Sequence, residues 1–148
     1  MGIRELGIKT KIDMKHEQVI LGQIPSKSNC YKIITIAGHS SLGKTAALRA
    51  YEKSFFLQCG AYRDRKISDF FRLDVDVYFS SNLPDLDNSL KGLLDCLQMV
   101  RAIKNDRQCT EIHARKFIDK NNPRIEFTIT EVNGVEKRDS RFPSLFDE

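Results

Sequence analysis

IITIAGHSSLGKTAALRAYEKSF, Ile33 to Phe55, admits two readings that lead to different folds. Gly38, Gly43, Lys44 and Thr45 within it occupy every fixed position of the phosphate-loop pattern G-x-x-x-x-G-K-[ST]. Taken as a nucleotide site, the run Ile33 to Ala37 is a buried parallel strand and the chain a doubly wound NTPase. Taken as a hairpin or loop whose glycines supply turns, with Lys44 and Thr45 opening a helix, it belongs to a mixed α+β domain.

The partners of a phosphate loop decide against the first reading. The strand before it is short and follows at once on Pro25 and the polar SKSN. An NTPase also needs an acidic residue closing a second apolar strand to organise Mg²⁺ and water. The comparable stretch, RLDVDVYF, carries Asp74 and Asp76 in its middle and ends in Ser-Ser. A small NTPase or kinase using GHSSLGKT stays as the alternative.

Working outward, Glu17 to Ile24 reads as a first strand and Lys32 to Gly38 as a second. Leu48, Tyr51, Phe55 and Cys59 recur at helical spacing. Phe71 to Phe79 alternates strictly, with Phe71, Leu73, Val75, Val77 and Phe79 on the apolar face and Asp74 and Asp76 on a solvated one. Leu90, Leu93, Leu94 and Leu97 form the stripe of an amphipathic helix beginning near Asp87. Thr110 to Ile118 and Arg124 to Val132 alternate again, and DKNNP between them predicts a hairpin. The expected fold is α+β, a single small domain with a mixed β-sheet packed against two main helices. Residues 1–17 read as a loosely ordered lead-in, 18–132 as the domain and 133–148 as a disordered polar tail.

Composition narrows the class. The chain has 148 residues, 41% hydrophobic and 30% charged, enough for one domain with a core and short for two. No apolar run approaches the ~20 residues of a membrane span, and the N-terminus has no apolar segment of a secretion signal. Cys30, Cys59, Cys96 and Cys109 lie far apart without a C-x-x-C pair, as do the histidines, so reduced thiols in a cytoplasmic protein are expected. A net charge of +4 permits a polyanionic partner without requiring one.

The chemistry-bearing stretch is PDLDNSLKGLLD. Asp85 and Asp87 are one residue apart just before a helix. In extended backbone such a pair points both carboxylates the same way, and a helix N-terminus favours their ionised form. Lys91 follows Asp87 at i+4, within reach on the same helix face. Asp106, in KNDR after the helix, can fold back toward its start. Converging carboxylates repel, and the usual remedy is a hard divalent cation, Mg²⁺ or Mn²⁺. The alternative is structural: Asp before a helix is a common N-cap, and Asp in an Asn-Asp loop a common turn former. Asp95 is read as a helix-face ion-pair partner of Lys91.

At these residues the chain resembles the RusA-type Holliday junction resolvases, which have a D-x-D-N-x-x-K segment opening a helix and a third Asp downstream. SNCY after Pro25, AYEKSFFLQ and RIEFTITEV are also similar to that family, so the resemblance runs over roughly residues 18 to 132. Pro84 and Lys27 depart from its pattern. The resemblance places GHSSLGKT in a variable connection between the second strand and the first helix. It implies a metal-dependent, structure-selective endodeoxyribonuclease that resolves four-way DNA junctions by paired symmetric cuts, leaving 5′-phosphate and 3′-hydroxyl ends. Asp85, Asp87 and Asp106 would hold Mg²⁺ or Mn²⁺, lowering the pKa of a water, and Lys91 would meet charge on the phosphate or leaving oxygen.

A junction has near two-fold symmetry, so a C2 homodimer with one site per subunit is the geometric match. Lys27, Asn29, Lys32, Lys44, Asn88, Arg101, Lys104, Arg107 and Arg115 are candidates for DNA contacts. In the tail, FPSLF resembles peptides that dock on the bacterial sliding clamp, with Leu145 and Phe146 as apolar anchors. The expected setting is a bacterial or phage-encoded cytoplasmic protein. A non-catalytic branched-DNA-binding module of the same fold is the further alternative.

Overall fold

The computed structural model describes residues 15–132. The tail from 133, with Leu145 and Phe146, and the lead-in through residue 14 lie outside the described residues. The elements are β1 (Gln18–Leu21), β2 (Tyr31–Ile36), β3 (His39–Lys44), α1 (Ala46–Gln58), β4 (Phe71–Phe79), α2 (Asp87–Met99), β5 (Cys109–Ile118) and β6 (Arg124–Glu131). Four strands form a mixed sheet in the order β1-β6-β4-β5, while β2 and β3 pair only with each other. This is the expected α+β domain of a mixed sheet and two helices.

The core follows from the two periodicities. Phe71, Leu73, Val75, Val77 and Phe79 of β4 are buried on one face, joined by Ile125, Phe127 and Ile129 of β6. Tyr51, Phe55 and Cys59 bring α1 onto that face, and Leu93, Cys96 and Leu97 bring α2. Phe127 stacks on Phe55 at 6.1 Å between centroids and on Tyr62 at 5.6 Å. Because β4 and β5 are parallel, α2 is the crossover that carries the chain from one to the other. At its C-terminus Arg101 turns left-handed (φ 59°), and Ala102 N–H donates to Leu97 O at 2.9 Å. That sends the chain into the loop holding Asp106.

The hairpin expected between β5 and β6 does not form. Both pair with β4, one on each side, so β4 separates them. The DKNNP link steps across the end of β4, where Asp119 N–H donates to Phe79 O at 2.8 Å. Placing the longest apolar-faced strand in the centre satisfies both of its backbone edges, which a direct β5–β6 hairpin would leave half unpaired.

GHSSLGKT is a hairpin strand. Its residues His39 to Lys44 run antiparallel to β2, with Ile33 opposite Leu42 and Ile36 opposite His39. Ala37 (φ 52°) and Gly38 (φ 81°) make the two-residue turn, the double positive φ of a type I′ hairpin. Thr45 caps α1, its Oγ1 accepting from Leu48 N–H at 3.2 Å and donating to Asn29 O at 2.6 Å.

The polar face of β4 is also not solvated as expected. Asp76 is buried, accepting from Arg115 Nε at 2.8 Å and lying 3.0 Å from His16 Nε2. Asp74 is half-buried and held by Arg72 at 2.9 Å. His16, inside the expected lead-in, is itself buried and 3.2 Å from Thr128 Oγ1. The chain entering β1 thus covers this part of the sheet. Burial pushes the Asp76 carboxyl up, but the Arg115 and His16 hydrogen bonds outweigh it and hold the group below the usual carboxylate range.

Candidate active site

The acidic segment opens α2, but its backbone is not extended: Leu86 between the two aspartates is already helical (φ −60°, ψ −45°). Leu86 occupies the N-cap position without a side-chain cap bond, and Asp87 stands in the first turn. There the helix dipole favours its charge. Neither the extended pair nor an aspartate at the N-cap position is what the structure holds.

Lys91 is one turn further along. Its Nζ donates to Asp106 Oδ2 at 2.5 Å and meets Asp95 Oδ1 at 3.1 Å, so it pairs with these two and not with Asp87, the carboxylate within its reach by spacing. The helix-face pair with Asp95 is as expected. The Lys91 hydrogen bond holds the Asp106 carboxyl below its ordinary range. In turn Asp106, then Asp95, raise the Lys91 ammonium above its own. The loop that delivers Asp106 is fixed by Gln98, which the sequence did not single out, and by Asn105 of the Asn-Asp turn. Gln98 Oε1 accepts from Asp106 N–H at 3.1 Å, and Asn105 Oδ1 accepts from Arg107 N–H at 3.0 Å. Gln98 lies two helical turns past Lys91, so its place on the same face was available from spacing.

Three carboxylates are in kind the all-oxygen donor set of a hard divalent cation. Among the described residues, however, no three His, Cys, Asp or Glu side chains are already grouped to hold a metal. Asp106 reaches the α2 face through Lys91, and the convergence of Asp85, Asp87 and Asp106 on one point is not pre-formed. The cysteines do not substitute. All four are free, and burial pushes the Cys96 thiol up to about 12.

Of the basic and polar residues expected to meet DNA, Lys27, Asn88 and Lys91 line one hollow with Tyr31 and with the acids Glu52 and Asp95. Asn29 is exposed on the adjoining turn, and Lys104 and Arg107 are exposed on the loop around Asp106. Lys32 is exposed on β2. Lys44 is engaged by Glu52 at 2.9 Å, and Arg101 by Asp64 at 3.0 Å. Arg115 is on the wrong side: it pairs with Asp76 on the sheet face opposite the helices and is removed from the site. The phosphate-loop residues do not form an anion cradle, because they run as an extended strand against β2 and not as a loop whose N–H groups converge.

Residues 40–130, more than half of the chain, match the family model for endodeoxyribonuclease RusA. The matched span contains Asp85, Asp87, Lys91 and Asp106. No curated protein matches the chain.

Proposed function

The chain belongs to the endodeoxyribonuclease RusA family, and from that premise we propose that it resolves four-way DNA junctions by paired, symmetric, divalent-metal-dependent hydrolysis. The family makes it an enzyme, a phosphodiester hydrolase acting on branched DNA. The observation that supports the finer reading is the Lys91–Asp106 pair, which ties the downstream aspartate to the helix that opens at Asp87, two residues after Asp85.

In this reading Asp85, Asp87 and Asp106 would hold Mg²⁺ or Mn²⁺. Bound there, the cation would supply Lewis acidity and neutralise charge building on the scissile phosphate. Lys91 is already oriented by Asp106 and Asp95, and brings its ammonium to the phosphate or the leaving oxygen. Asn88, one turn before Lys91 on the same face, can donate its amide to a neighbouring phosphate oxygen. Lys27 lines the hollow, and with Asn29, Lys32, Lys104 and Arg107 it would supply sequence-independent phosphate contacts. Two copies related by a two-fold axis place one site on each of two opposed strands. No helix among the described residues is long and apolar enough to cross a membrane, in keeping with a bacterial or phage protein acting on DNA in the cytoplasm. Clamp docking through Leu145 and Phe146 is a separate expectation on which this reading does not depend.

The test is cleavage of a synthetic four-way junction and of linear duplex of the same sequence, with Mg²⁺ or with EDTA, for the native chain and Asp87→Asn. Paired symmetric nicks in the junction alone, lost in EDTA and in the variant, are the expected result. Junction binding without cutting in either metal would reduce the chain to a DNA-binding module and refute the catalytic reading.

A further inference from the structure

The β2–β3 ribbon is used by neither the core nor the acidic site. None of residues 31–44 belongs to the apolar core, yet Ile33, Ile36 and Leu42 are 75%, 70% and 75% exposed. Ile33 and Leu42 face each other across the strands. On the other side Ile34 lies over Gly43, where a Cβ would come within 1.9 Å of Ile34 Cδ1. A lone two-stranded ribbon is marginal in water, and one with apolar residues on both faces needs something to cover it.

Three observations identify the occupant. From Ser26 to Thr45 the chain carries Lys27, Lys32 and Lys44 and no Asp or Glu, although acids make up 20 of the 148 residues. The base of the ribbon adjoins the site, since Tyr31 lines the same hollow as Asn88 and Lys91. Strands of this length reach about 20 Å at ~3.3 Å per residue, and a two-stranded ribbon fits a DNA major groove. Lys44 is held by Glu52, so the acid-free arm offers Lys27 and Lys32 to a polyanion. Its apolar residues are of the kind that insert between base steps.

We propose that the β2–β3 ribbon is a junction-sensing arm, whose Ile33 and Leu42 on one face and Ile36 beside the turn on the other pack against nucleobases unstacked where strands exchange in branched DNA. This rests on reading the neighbouring site as a junction nuclease, and it assigns structure selectivity to the ribbon. A linear duplex offers no unstacked base to cover the apolar residues, so it gains only the lysine contacts.

The experiment uses the full chain in EDTA, with a four-way junction carrying 2-aminopurine at the branch point and a matched linear duplex. The native protein is compared with the triple variant Ile33→Ser/Ile36→Ser/Leu42→Ser and with Leu57→Ser, a control at an exposed apolar residue of α1. The native protein and the control should raise the 2-aminopurine signal. The triple variant should lose that rise and bind the junction roughly tenfold or more weakly, with duplex affinity and melting temperature unchanged. Native-like behaviour of the triple variant overturns the inference, as does an equal loss on junction and duplex. A shift from dimer to monomer in sedimentation also overturns it, by making the ribbon a contact between copies. Junction cutting by the native protein in Mg²⁺ is scored separately. If the native protein cuts while the triple variant binds normally, only this inference falls; if the native protein neither binds nor cuts the junction, both readings fall.

Discussion

Replacing Lys91 by Met separates what this residue does for the fold from what it does for the reaction. Its side chain is 64% exposed, and its partners Asp106 and Asp95 are 28% and 47% exposed. Solvent therefore screens both pairs. An exposed pair contributes about 0.2–1 kcal/mol and an i,i+4 pair about 0.3–0.5, so the loss should be about 1 kcal/mol. For a domain of this size that lowers the melting temperature by about 3–5 °C. A preorganised donor at developing charge is worth far more, about 10²–10³ in rate.

The expected outcome is thus a folded protein that binds the junction and cuts it at least a hundredfold more slowly. The pH dependence has a defined sign. Lys91 lowers the Asp106 pKa, so the pair's contribution is present above the ordinary Asp value of about 3.9 and fades as pH falls through the lower folded value. Lys91 is itself raised, by Asp106 first and then Asp95. At the alkaline end the contribution is whole below about 10.4 and fades as pH rises through the higher folded value. In Lys91→Met the Asp106 carboxyl should titrate upward, toward its ordinary range, in a carbon-13 NMR titration. Undiminished cutting would refute the catalytic role. A melting temperature lower by more than about 10 °C would show that Lys91 acts on structure instead.

Asp76→Ala should destabilise by about 1–2 kcal/mol, because it leaves the buried His16 ring without its carboxylate partner, while Arg115, half-exposed, returns to solvent. Since the Asp76 pKa is lowered in the fold, the difference from the native chain in urea titrations should be whole above about pH 4 and shrink as pH falls through the folded value; a pH-independent difference would contradict it. Tyr51→Phe should be neutral or stabilising by about 1 kcal/mol, because Tyr51 Oη is buried without a hydrogen-bond partner among the described residues. A loss of stability on calorimetry would show a bond that the structure does not contain. Ala37→Gly should relieve about 1 kcal/mol of left-handed strain and slow amide exchange in β2 and β3, while the melting temperature of the core stays the same. Unchanged exchange would mean that the turn is not under strain.

Local physics makes much of this protein legible in its sequence alone. The strict alternation of Phe71 to Phe79 and the helical spacing of Leu48, Tyr51, Phe55 and Cys59 each express a periodicity contained within one element. Thr45 opening α1 and Asp87 entering the first turn of α2 are equally local, and so is the order of residues in PDLDNSLK. These features depend on hydrogen bonds and side-chain directions within a few residues of one another.

Other features depend on partners distant in sequence. The pattern of β5 and β6 is that of a hairpin, but β4 offers two backbone edges and an apolar face, and it comes between them. Alternation put Asp76 on the polar face, yet not the His16 and Arg115 that cover it. Spacing put Asp87 within reach of Lys91, but the loop anchored by Gln98 delivers Asp106 instead. GHSSLGKT satisfied a phosphate-loop pattern residue by residue, and its chain ran out as an extended strand beside β2. Sequence spacing shows which groups can meet within an element; the pairing of backbone edges across the chain determines which of them do.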